Sequence, residues 1–122
     1  MKFIKIAVAL LVASSATAHE MTPTYFDIKP TMYDNVFVSD MFIINRNEET
    51  LKYQFEVYDD NWVSVPYASF NRVIELKYGE SLNVSLYFRT EDVGDVTYIC
   101  SRSLVDEGVS SLICSKERGK RI

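Results

Sequence analysis

Few side chains in this chain could do chemistry, and most familiar arrangements fail for want of a partner. The 122 residues hold a single histidine, His19, so a Ser/His/Asp or Cys/His nucleophile could be assembled only around that position. Glycine occurs only at Gly79, Gly94, Gly108 and Gly119, a spacing that matches neither Gly-x-Gly-x-x-Gly nor a phosphate-binding loop. The Asp59-Asp60 and Glu48-Glu49 pairs are adjacent in sequence, and neighbours in a strand or turn point apart, whereas glycoside chemistry needs two carboxyls facing each other across a substrate. They read as solvated turn residues. No catalytic residue and no cofactor are expected.

Binding chemistry offers more. Residues 1–18 read as a signal peptide: Lys2 and Lys5 frame a charged start, Ile6 to Ala13 form a short apolar run, and Ala16 and Ala18 suit a peptidase that reads Ala-x-Ala. The run is too short for a membrane span, which needs roughly 20 residues. Cleavage after Ala18 makes His19 the new N-terminus, and a terminal amine beside an imidazole can chelate copper(II); with no second histidine, the remaining ligands would be Glu20, Met21 or a distant carboxylate. A second candidate is an aromatic ligand patch of Trp62, Tyr67 and Phe70, for which ordinary packing is the competing account. Asn83-Val84-Ser85 is a glycosylation sequon, meaningful in a eukaryotic source.

The two cysteines carry the most specific structural expectation. Asp106-Glu107-Gly108 has the pattern of a three-residue hairpin loop, a type I turn closed by a left-handed glycine. Pairing centred on Glu107 sets Cys100 directly opposite Cys114, at a non-hydrogen-bonded site with Cα atoms about 4.5 Å apart, within reach of a disulfide. Export supplies the oxidising compartment. The spacing is not Cys-x-x-Cys, so a structural bond is expected, not a redox pair.

The elements that position these residues are strands, because apolar residues recur with period two and no helical period is sustained. Leu51, Tyr53, Phe55 and Val57 alternate with polar neighbours, as do Leu82, Val84, Leu86 and Phe88. Further β-rich runs are Tyr25 to Ile28, Val36 to Ile44, Trp62 to Val65, Phe70 to Leu76, Val96 to Leu104 and Val109 to Ser115, with turn signals between them. The expectation is an all-β protein, an immunoglobulin-like antiparallel β-sandwich of seven to eight strands. Residues 19–122 form a single domain with a short basic C-terminal tail, Lys116, Arg118, Lys120 and Arg121. The leader removes two of thirteen basic residues and none of seventeen acidic ones, leaving eleven against seventeen. An acidic body of this kind repels nucleic acid, and the tail reads as a solvated end.

Three stretches resemble the N-terminal immunoglobulin-like domain of periplasmic pilus-assembly chaperones: Met21-Thr22-Pro23-Thr24, the run from Val36 that closes on Ile43-Ile44-Asn45-Arg46-Asn47, and Tyr78-Gly79-Glu80-Ser81-Leu82-Asn83-Val84. The family shows a Pro near the first strand, a strand ending on Asn, and a Gly-Glu turn entering another strand. It also carries a second domain, and an Arg early in the first strand that anchors a pilin carboxylate. Here the corresponding stretch reads Thr24-Tyr25, and the chain ends after the last strand. The resemblance implies a periplasmic or secreted, non-enzymatic protein-binding module, chaperone-like or accessory in assembly of a pilus or other surface structure. Its partner would add a strand at a sheet edge, the edge candidates being the first strand, Thr24 to Ile28, and the last, Val109 to Ser115, with Val109, Ser111 and Ile113 as the partner edge. Alternation from Cys114 puts Ile113 on the outer face. The alternative is a small periplasmic ligand or copper carrier using His19.

Overall fold

The computed structural model describes residues 19–105 and 110–120. Residues 1–18, expected as a signal peptide, the Asp106-Glu107-Gly108 stretch with Val109, and the last two residues lie outside the described residues. In chain order the elements are β1 (Glu20–Thr22), β2 (Tyr25–Phe26), β3 (Lys29–Pro30), β4 (Val36–Ile44), β5 (Leu51–Tyr58), β6 (Val73–Leu76), β7 (Ser81–Arg89), the one-turn helix α1 (Thr90–Val93), β8 (Tyr98–Leu104), β9 (Leu112–Glu117) and a 3-10 turn over Arg118–Lys120.

Period-two alternation builds the core. Met41 and Ile43 of β4 with Val84, Leu86 and Phe88 of β7 face Tyr53, Phe55 and Val57 of β5, Ile74 and Leu76 of β6, and Ile99 of β8; all are buried. Each such side chain contributes roughly 1.5–3 kcal/mol by leaving water, so the two faces form one apolar layer between two sheets. In the four-stranded sheet β7 runs along one side of β4, while β1 and β3 share the other side. The five-stranded sheet has the order β2-β9-β8-β5-β6.

The first strand is divided between the sheets. β1 pairs antiparallel with β4, and after Thr22-Pro23 the chain crosses so that β2 pairs with β9. Proline lacks the N–H that would continue the β4 ladder. The β2–β9 pair is parallel, with Tyr25 opposite Lys116 and Phe26 opposite Glu117, so the second sheet is mixed and not wholly antiparallel as expected. Division of the N-terminal strand and the added β3 bring the strand segments to nine among the described residues.

Two expected strands are corrected. Trp62 to Val65 forms no strand; only Ser64 makes an isolated bridge, to Tyr58. The Asp59 carboxylate accepts the N–H groups of Asn61 and Val63 at 2.8 and 2.9 Å, and Trp62 sits at φ 62°, so local side-chain bonding overrides β-propensity. Phe70 to Leu76 shortens to β6, since Ser69 Oγ ties that loop to the Ser85 carbonyl and the Asn71 N–H. The turn signal Glu91-Asp92-Val93-Gly94-Asp95 overlaps α1, which spans Thr90–Val93.

Candidate protein-binding edge

The edge at β9 is built by the hairpin it forms with β8. The register sets Cys100 opposite Cys114 and Ser101 opposite Ile113. Backbone bonds from Ser103 N–H to Ser111 O at 2.9 Å and from Glu117 N–H to Thr97 O at 2.8 Å make the odd-numbered positions of β9 the hydrogen-bonded ones. Cys100 and Cys114 therefore occupy a non-hydrogen-bonded site, with Cα atoms 4.0 Å apart, and they are joined by a disulfide.

That parity reverses one expectation. Ile113 is paired to Ser101 and packs against the core, so it does not point outward. The disulfide takes the outer face instead, in the row of Glu56 and Arg102. The backbone groups that face away from β8 belong to Leu112, Cys114 and Lys116. The Lys116 N–H donates to Thr24 O at 3.0 Å, and β2 extends no further than Lys116 and Glu117. No described strand pairs with the outer side of β9 at Leu112 to Ser115. Of the expected edge residues, Val109 lies outside the described residues, and Ser111 and Ile113 turn their backbone groups toward β8.

Ser111 belongs to a polar cluster beneath that edge. His19 is buried, with Nδ1 3.0 Å from Ser111 Oγ and Nε2 2.8 Å from Ser101 Oγ, and its ring lies 4.6 Å from that of Tyr53. Ser103 Oγ is 3.1 Å from Ser111 Oγ and accepts the Ser111 N–H. Burial pushes the imidazole below its usual pKa. With both ring nitrogens engaged by hydroxyls, the expected copper chelate would first have to break the Ser111 contact. Among the described residues no three His, Cys, Asp or Glu side chains gather around a common point. His19 thus ties the start of β1 to β8 and to the segment entering β9.

The expected aromatic patch separates into three places. Trp62 stacks on Tyr98 with centroids 4.0 Å apart and planes 6° from parallel, beside Tyr58. Tyr67 packs against the core, its hydroxyl on the Phe55 carbonyl and the Arg72 guanidinium over its ring. Phe70 meets Tyr87 edge-on across the other sheet. Next to Tyr58, burial would raise the Glu56 carboxyl, but hydrogen bonds from Arg102 and Tyr58 outweigh it and hold the pKa down. The Tyr58-Trp62-Tyr98 group escapes a sequence reading because Trp62 reaches Tyr98 only through its left-handed backbone. Among the described residues no helix is long and apolar enough to cross a membrane.

No family model and no curated protein matches this sequence. Among solved structures, the E. coli chaperone DraB is similar over 83% of this chain, with a TM-score of 0.64 and 16% identity. This chain spans 53% of DraB's length. A FixG-related protein from Vibrio parahaemolyticus matches 85% of this chain and 98% of its own, at 10% identity and a TM-score of 0.45. In fold, then, this chain is an all-β immunoglobulin-like sandwich, and it resembles a domain of a pilus-assembly chaperone.

Proposed function

We propose that this protein is an exported, non-enzymatic, chaperone-like module that binds another protein by adding a strand along the outer side of β9. The observation that carries this is the backbone at Leu112 and Cys114 with which no described strand pairs, flanked by β2 below and by His19 at the top. Such an edge offers a row of donors and acceptors to an incoming extended segment. The disulfide pins β9 to β8, so the edge is held extended before a partner arrives. The likeness to a chaperone and the disulfide both agree with a periplasmic or secreted location, and a client taken up during assembly of a pilus or other surface structure fits the same reading. Exported material should begin at His19 by N-terminal sequencing.

Leu112 is the position to test. Its N–H faces away from β8, so Leu112→Pro removes an edge donor without breaking a β8–β9 bond, and proline is tolerated at such a site. Leu112→Thr keeps the donor and changes only the side chain. Cross-linking from the native envelope should recover a partner with the wild type and Leu112→Thr but not with Leu112→Pro. Equal recovery by a folded Leu112→Pro protein overturns the reading.

A further inference from the structure

The four-stranded sheet has an outer face that an isolated sandwich would make polar. β4 reads Val-Phe-Val-Ser-Asp-Met-Phe-Ile-Ile. Its odd positions Met41 and Ile43 fill the core, yet its even positions Val36, Val38 and Phe42 are apolar too. Strands apolar on both faces are those covered on both faces. Here Val38 is paired with Tyr87 on the outer side, and the rim is formed by Met32 and Tyr33 from one loop and Phe70 from another. Met32 is 90% exposed, Phe70 93% and Tyr33 71%. Together with Val36, Val38 and Tyr87 they line an open groove of about 630 Å³. At about 150–250 Å² for a large side chain, the three rim residues alone expose on the order of 500 Å². A standard interface buries about 800 Å² per partner.

The charges on this face indicate what covers it. Lys29 of β3 stands opposite Val38 in register, so it shares the outer face, and Asp40 lies two residues further along β4. Lys29, Val38 and Asp40 line one depression together with Pro23 and Asp27, whose carboxylate is paired with Arg118. Asp40 accepts a hydrogen bond from Ser85 Oγ, and among the described residues neither Lys29 nor Asp40 has an ion-pair partner within 4 Å. One unpaired charge of each sign beside a common apolar centre is self-complementary. A two-fold axis in the plane of contact, passing close to Val38 and across the line from Lys29 to Asp40, sets each lysine against the other copy's aspartate, while Met32, Tyr33 and Phe70 close around the rim. We propose that a second copy of this chain covers the outer face of the four-stranded sheet, forming an isologous dimer. This surface lies on the opposite sheet from β9 and leaves that edge free, so the two readings stand or fall separately.

The test is sedimentation of the oxidised, folded protein at about 1–100 µM, the weak end of what an interface this size supports. The wild type should be dimeric. Phe70→Ser removes a side chain that contributes almost nothing to the monomer's core and should weaken association. Lys29→Asp and Asp40→Lys should each weaken self-association roughly tenfold or more, because like charges then meet across the axis. Mixing those two variants should restore a dimer, since each supplies the sign that the other lacks; circular dichroism verifies that each is folded. A wild type that stays monomeric throughout overturns the proposal. So does a dimer indifferent to all three substitutions, or a mixture that fails to reassociate.

Discussion

Replacing Asn45 with leucine should cost this protein a large part of its stability. Asn45 is fully buried at the end of β4. Its Nδ2 donates to Glu49 O at 2.9 Å and to Leu76 O at 2.8 Å, and its Oδ1 accepts from the Asn47 N–H and the Tyr53 hydroxyl, both at 2.8 Å. One amide thus joins β4, the turn after it, β5 and β6. In Asn45→Leu the Glu49 carbonyl and Asn47 N–H sit in an open turn and regain water. The Tyr53 hydroxyl does not, and a stranded buried donor costs roughly 1–3 kcal/mol. Losing the buried bond to Leu76 adds roughly 1 kcal/mol. The expected destabilisation is about 2–4 kcal/mol, against a total of about 5–15 kcal/mol for a domain. Urea unfolding at neutral pH reads it as a lowered midpoint with an unchanged slope. A Tyr53→Phe background removes the stranded hydroxyl, so there Asn45→Leu should cost at least about 1 kcal/mol less. A loss below about 1 kcal/mol, or the same loss in both backgrounds, would refute the reasoning.

Further outcomes are expected for His19 and for the disulfide. Because burial lowers the His19 pKa in the folded state, the unfolded chain binds the proton first; stability is fully present above about pH 6.5 and falls as pH drops through the imidazole's ordinary range, by at most about 1.4 kcal/mol per pH unit. His19→Gln should flatten that slope between about pH 5 and 6.5, and parallel curves for the two proteins would contradict it. A thiol assay on unfolded, unreduced protein should detect no free cysteine, and Cys100→Ala with Cys114→Ala should cost up to about 3 kcal/mol. Hydrogen exchange should place the loosening in β9, whose hairpin with β8 the bond clamps at Cys100 and Cys114.

The sandwich was legible where burial is one-sided. Tyr53, Phe55 and Val57, and Val84, Leu86 and Phe88, alternate cleanly because one face of each strand meets the core and the other does not. The opposition of Cys100 and Cys114 followed from the loop pattern alone, but their face did not: cysteine is read as an inward residue, while here Ile113 and Ser115 point in. The split first strand left only Pro23 as a sequence signal. Trp62 looked like a strand residue because propensity ignores the Asp59 carboxylate that turns the chain beneath it. The role of His19 depends on hydroxyls more than eighty residues away, a proximity that only the folded register creates.

The crossing of the first strand has a mechanical consequence. β2 runs parallel to β9, so tension applied from its N-terminal side and from the C-terminal side of β9 pulls the two strands lengthwise past each other. The Lys116–Thr24 backbone bond at 3.0 Å and the Arg118–Asp27 ion pair at 3.0 Å then carry the load together, in shear. An antiparallel hairpin without a cross-link, pulled from its open end, yields one rung at a time. The two-residue parallel pair is therefore a clasp: a short contact that keeps a stretched domain shut by its direction more than by its length.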